Sequence, residues 1–181
     1  MIDPDPIVSV VGQGFAVVYG LVIGSFLAVC IQRLPEDRSL RVPSACERCG
    51  AKLGWTENIP LVSYLALRGR CRHCGSRIPP LHPLVEALGG LLGWLVYRRV
   101  IADPADLDAA HAAAWVVRFG FLALLVVAAY VDVRHRIIPD QTSIYAVPFG
   151  IAAAVVLGWL GYDGFGTVTW QLAVLGAAGW G

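Results

Sequence analysis

From Ile7 to Ile31 the chain runs for 25 residues without a charged side chain. Roughly 20 apolar residues suffice for a helix to cross a bilayer, so this run reads as a first transmembrane span. It is not a cleaved signal peptide, which would open on basic residues and carry a shorter apolar core. This chain opens MIDPDP, acidic and proline-rich. Gly20, Gly24, Ser25 and Ala28 recur near one face of the run, a pattern that suits close helix packing in lipid. Ala113–Val131 and Ser143–Gly161 are of similar length. Leu84–Tyr97 is shorter and is taken as a span because the topology requires a crossing there. Val168–Gly181 begins a fifth run. The composition agrees: 57% of residues are hydrophobic, 15% charged, and the mean hydropathy is +0.65. Soluble domains carry about 25% charged residues.

Charge distribution sets an expected orientation. Nine of the fourteen Lys and Arg residues fall between Arg33 and Arg77, against four acids there. Positively charged loops stay in the cytoplasm, which puts this loop inside and the amino terminus outside. Alternation then puts the acidic 103–108 loop outside, DVRHRIIPD (132–140) inside and YDGFG (162–166) outside. The outward Arg98-Arg99 pair runs against the rule. No internal repeat is visible. The expected fold class is all-α: a polytopic transmembrane helical bundle with a cytoplasmic zinc-binding loop between its first two spans.

That loop carries Cys46-x2-Cys49 and Cys71-x2-Cys74, with 21 residues between the pairs. Each pair can present two thiolates to one metal, and together they complete a tetrahedral four-sulfur shell. Gly50 and Gly75 follow the second cysteine of each pair, where a tight knuckle calls for positive φ. Nearby Arg and Lys favour thiolate over thiol. Two disulfides or a redox dithiol are the alternatives, but disulfides rarely persist in the cytoplasm. His73 sits inside the second knuckle and reads as a solvated neighbour rather than a ligand. Cys30 lies in the first span and reads as a small apolar residue. The expected role of zinc is structural, stapling about fifty residues that have little core of their own.

GSFLAVCIQRLP (24–35), WTENIPLVSYLALRGRC (55–71), RIPPLHPLVE (77–86) and DVRHRIIPD (132–140) occur in that order. Together they resemble the type IV prepilin peptidases, bifunctional membrane enzymes. Those enzymes remove the leader from prepilins and pseudopilins, then methylate the new amino terminus. The resemblance implies three parts: residues 1–31 as the first span, 32–82 as the four-cysteine loop, and 83–181 as a transmembrane aspartic peptidase domain. It implies Asp132 as a catalytic carboxylate, S-adenosylmethionine as methyl donor, and a bacterial inner-membrane location. Prepilins or pseudopilins and membrane lipid are the expected partners, and nucleic acid is not.

An aspartic peptidase needs two carboxylates sharing a proton, one as base on water and one as acid. The family's second carboxylate lies in a Gly-x-Gly-Asp motif that does not occur in these 181 residues. A span begun near Val168 would reach the inner side only past Gly181, so the expectation is a sequence cut short before that motif, with evolutionary loss as the alternative. Asp140 reads as a helix N-cap after Pro139 rather than as the partner. Glu86, after Pro83, reads as an acid favoured by a helix amino terminus; a part in binding the substrate's amino end or the methyl donor is the other reading. Arg118 is expected to snorkel outward or pair with a neighbouring helix. Trp55, Asn58 and Gly69 match the family's loop without an assigned role. The competing functions are a non-peptidase membrane module whose zinc ribbon binds a partner, and a methyltransferase that has lost proteolysis.

Overall fold

The computed structural model describes residues 6–103, 106–135 and 146–162. Five α-helices run through them: α1 (Pro6–Arg33), α2 (Val62–Ala66), α3 (Leu81–Val100), α4 (Ala109–His135) and α5 (Ala146–Trp159). Short 3-10 turns occupy Leu34–Glu36 and Trp55–Glu57. Among the described residues there is no strand, only the isolated bridges Ala45–Lys52 and Arg70–Arg77. Asp140, the Ile-Pro-Asp turn and the Val168–Gly181 run lie outside the described residues.

Among the described residues, two helices are long and apolar enough to cross a membrane, over Ile7–Glu36 and Ala109–Arg134. Their surfaces carry the argument further than their length. On α1, Ile7, Val11, Phe15, Val18, Val22 and Phe26 recur every three or four residues, and all are more than half exposed. A stripe of that kind facing water would be a large apolar patch; facing lipid it is matched to its solvent. Leu84, Leu88, Leu91 and Leu95 make a similar stripe on α3. These features mark a membrane protein. α3 is 20 residues long, exceeding the apolar run Leu84–Tyr97 at both ends. Arg98 and Arg99 form its last turn, where cations oppose the negative end of the helix dipole. α5 has 14 residues, about 21 Å at the helical rise, and lies within the Ser143–Gly161 run.

The described chain divides into two compact units, residues 14–94 and a second made of the remaining residues. In the first, α1 and α3 meet through glycine. A Cβ placed on Gly24 would come within 2.8 Å of the Glu86 Cα, and one on Gly20 would strike the carbonyl of Gly89. Gly93 packs in the same way against Ala16. Backbones approach this closely only where side chains are absent. The small face anticipated on the first span is therefore the face that α3 covers, and Ala28 on it is fully buried.

In the second unit, α4 buries Trp115, Phe119, Ala123, Val127 and Val131 at every fourth position and packs against α5. Asp108 caps α4 by accepting the His111 amide at 2.8 Å. That bond, with the His111 ring 2.9 Å away, holds the Asp108 carboxyl below its ordinary range. Arg118 does not simply snorkel: its guanidinium lies 5.5 Å from the centre of the Tyr162 ring, a cation–π contact.

Candidate functional site

The loop between α1 and α3 folds around its cysteines. Two knuckles are built alike. The Cys46 amide donates to the Ala51 carbonyl at 2.9 Å while the Gly50 amide donates to the Cys46 carbonyl at 2.8 Å. In the second, the Cys71 amide donates to Ser76 at 2.8 Å and the Gly75 amide to Cys71 at 2.9 Å. Gly50 and Gly75 have φ of 69° and 67°, the left-handed conformation that their spacing called for. This pattern closes each turn and aims its thiols inward.

The four sulfurs of Cys46, Cys49, Cys71 and Cys74 all lie within 4.8 Å of one another, and this cluster could hold a metal ion. None is in a disulfide. Cys46 Sγ and Cys74 Sγ are 3.8 Å apart. A tetrahedron with zinc–sulfur bonds of about 2.3 Å has an edge of about 3.8 Å, so the donor set fits zinc. The electrostatics agree. Amide donors at Cys49 and Arg48, with the Ser76 hydroxyl, bring the Cys46 thiol down to about 6. The Ser76 hydroxyl and amide also lower Cys74. The Ala51 amide favours the Cys49 thiolate, but desolvation and three neighbouring thiols push it up to about 11. These hydrogen bonds favour the thiolate form at Cys46 and Cys74, the form in which a cysteine binds a metal ion. His73 is exposed and stands outside the cluster, as does buried Cys30.

Beside the cluster, still within residues 14–94, is a cavity of about 850 Å³. Ser25, Val29 and Gln32 of α1 line it together with His82 and Glu86 of α3 and residues of the loop. Gln32 Nε2 donates to His82 Nε2 at 3.0 Å, tying the two helices together. Glu86 is buried and accepts the Leu61 amide at 2.8 Å. Leu61 has φ 58°, ψ −44°, an uncommon backbone for a non-glycine residue, and the carboxylate steadies it at the start of α2. Glu86 is thus a buried tether to the loop, more than an acid at a helix amino terminus. Sequence reasoning did not find this, because its partner is a main-chain amide 25 residues away. Gly69, at φ 66°, packs against Tyr64, which gives that family-matching glycine a local reason; Trp55 and Asn58 are both exposed.

Asp132 stands on the last turn of α4, exposed, next to fully buried Val131. It is the one acidic residue in that helix. One turn around it, Arg134 Nη1 donates to the Tyr130 hydroxyl at 3.4 Å.

Comparison with known proteins gives these features a context. Residues 18–100 match the model of the bacterial peptidase A24 N-terminal domain, and residues 119–181 match the type IV leader peptidase family. A prepilin leader peptidase/N-methyltransferase of Myxococcus xanthus is 44% identical over 145 residues, covering 80% of this chain and 41% of its own length. One from Burkholderia pseudomallei is 36% identical, covering 72% of this chain and 48% of its own. One from Klebsiella pneumoniae is 31% identical over 179 residues, covering 89% of this chain and 75% of its own. The chain thus spans less than half the length of the first two of these relatives. No solved structure matches. With both family models in their expected order and three quarters of the Klebsiella relative covered, the chain belongs to the type IV leader peptidase family.

Proposed function

We propose that the protein cleaves the leader from type IV prepilins or pseudopilins in the bacterial inner membrane and methylates the amino terminus released. In this reading residues 1–31 are the first span, 32–82 a cytoplasmic zinc-stapled loop serving methylation, and 83–181 the transmembrane peptidase part. The nine basic residues between Arg33 and Arg77 support the inward placement of the loop. Zinc, bound by Cys46, Cys49, Cys71 and Cys74, is structural: with four protein ligands it keeps no open position for substrate. S-adenosylmethionine supplies the methyl group when bound.

One observation carries the peptidase reading. Asp132 is the lone acid of a long apolar helix and sits exposed on its final turn. A substrate whose own apolar helix lies in the bilayer would present its scissile bond at the same depth, where the apolar segment ends. There Asp132 acts as one of two carboxylates that share a proton: one takes a proton from the attacking water, the other protonates the developing oxyanion. The test is cleavage of a prepilin peptide by the full-length protein. Asp132→Asn is expected to reduce cleavage at least about 100-fold, the lower range for loss of an acid–base group, with zinc content unchanged. Cleavage near the wild-type rate would refute the assignment.

A further inference from the structure

Glu86 is the one buried charged side chain among the described residues, 7% exposed. An ionised carboxylate so placed is costly unless hydrogen bonds or a cation compensate. Its Oε2 takes the Leu61 amide at 2.8 Å. The ion pairs among the described residues join Arg38 to Glu36 and His111 to Asp108, and neither involves Glu86. No buried side-chain oxygen among the described residues lacks a partner. Oε1, which receives no hydrogen bond there, is therefore not sealed in the packing, and Glu86 is among the residues that line the 850 Å³ cavity. A buried carboxylate that lines a cavity, with one oxygen tethered and the other free of hydrogen bonds, can receive a cation that carries N–H donors.

We propose that Glu86 binds the newly exposed α-amino group of the cleaved substrate in this cavity and takes its proton before methylation. The proposal rests on the methyltransferase reading above and names the acceptor side of that reaction. The position fits the substrate. Ser25 and Val29 belong to the long apolar helix α1, yet they line the same cavity as residues of the polar loop. The cavity thus sits where the chain passes from apolar helix to basic loop. A peptide whose apolar helix lies in lipid delivers its amino end to that boundary.

The chemistry balances. An α-ammonium group has no lone pair and cannot attack a methyl carbon. The ammonium gives one proton to Glu86 and becomes nucleophilic. Its lone pair forms the N–C bond as the donor's S–C bond breaks; the sulfonium becomes a neutral thioether and the positive charge passes to the methylated nitrogen. No further reactant is needed.

Glu86 also steadies Leu61, so the test must separate charge from scaffolding. Glu86→Gln does so, since the amide oxygen still accepts the Leu61 N–H while the negative charge is gone. In the full-length protein with S-adenosylmethionine, E86Q is expected to lower the ratio of methylated to cleaved product at least about 100-fold. A ratio within threefold of wild type, as a purely structural role requires, overturns the proposal. A second measurement uses the wild-type protein and stands whether or not E86Q folds. A processed peptide with a free α-amine is expected to bind at least about tenfold more tightly than its N-acetylated form, reflecting the buried charge pair; equal affinities overturn the proposal. If wild type cleaves but never methylates, the methyltransferase reading fails instead, and the two peptide affinities still decide whether Glu86 receives an amine.

Discussion

Ser76 lies 3.0 Å from Cys74 Sγ and 3.6 Å from Cys46 Sγ. Its hydroxyl is a donor placed between two thiolates, and outer-shell donors of this kind commonly alter metal affinity by about 10–100-fold. Ser76→Ala is expected to leave one zinc per chain bound but to weaken it about tenfold, measured by competition with a chromophoric chelator. Affinity equal to wild type would show that the knuckle amides alone hold the thiolate charge. At this scale the legible features were the local ones. The cysteine spacing and the left-handed glycines after it depend on a handful of consecutive residues, and the structure has both. Ser76 was missed although its position two residues past Cys74 was a usable signal. Glu86 and Arg118 could not be read so, because Leu61 and Tyr162, the partners that define their environments, are 25 and 44 residues away in sequence.

The α1–α3 contact shows what a whole helix face adds. Gly20 and Gly24 on one helix meet Gly89 on the other, and a Cβ on Gly89 would strike the Gly20 carbonyl and lie 2.9 Å from the Gly24 Cα. Neither neighbour has a flexible side chain that could yield. Gly89→Val is therefore expected to destabilise the protein by about 1–3 kcal/mol through overpacking, read as a lower Tm in detergent. Gly14→Val is the control, since a Cβ there meets nothing within 4 Å, and it should melt close to wild type. Equal Tm values for the two variants would mean that the helices separate at little cost. α1 was legible because its apolar run is long and unbroken, and the small residues in it named the buried face. α3 was only partly so: its helix extends past the apolar run into His82 and Arg98-Arg99, where capping and dipole effects outweigh hydropathy. α2 carried no periodic signal at five residues, and its start depends on the remote carboxylate of Glu86.

Over the whole chain, two kinds of stability meet at Arg33 and Leu81. The long helices satisfy their own backbone hydrogen bonds and expose apolar side chains suited to lipid. The loop from 34 to 80 has neither advantage: among its residues the one buried hydrophobic side chain is Cys71, itself a member of the sulfur cluster. A metal held by the four cysteines would cross-link this coreless segment, and metal binding and loop folding would then be one equilibrium. Removing zinc should then loosen the loop and spare the helices. Treatment with a strong chelator is expected to raise the rate of tryptic cleavage within residues 38–77 at least about tenfold, because proteolysis follows the population of the open form. The far-UV helical signal should change little, and added zinc should restore resistance. If cleavage in the loop stays slow after the metal has gone, contacts such as the Glu86–Leu61 tether hold it unaided. If the helical signal collapses with it, the loop and the helices form one cooperative unit, and the division of labour between sulfur and lipid is wrong.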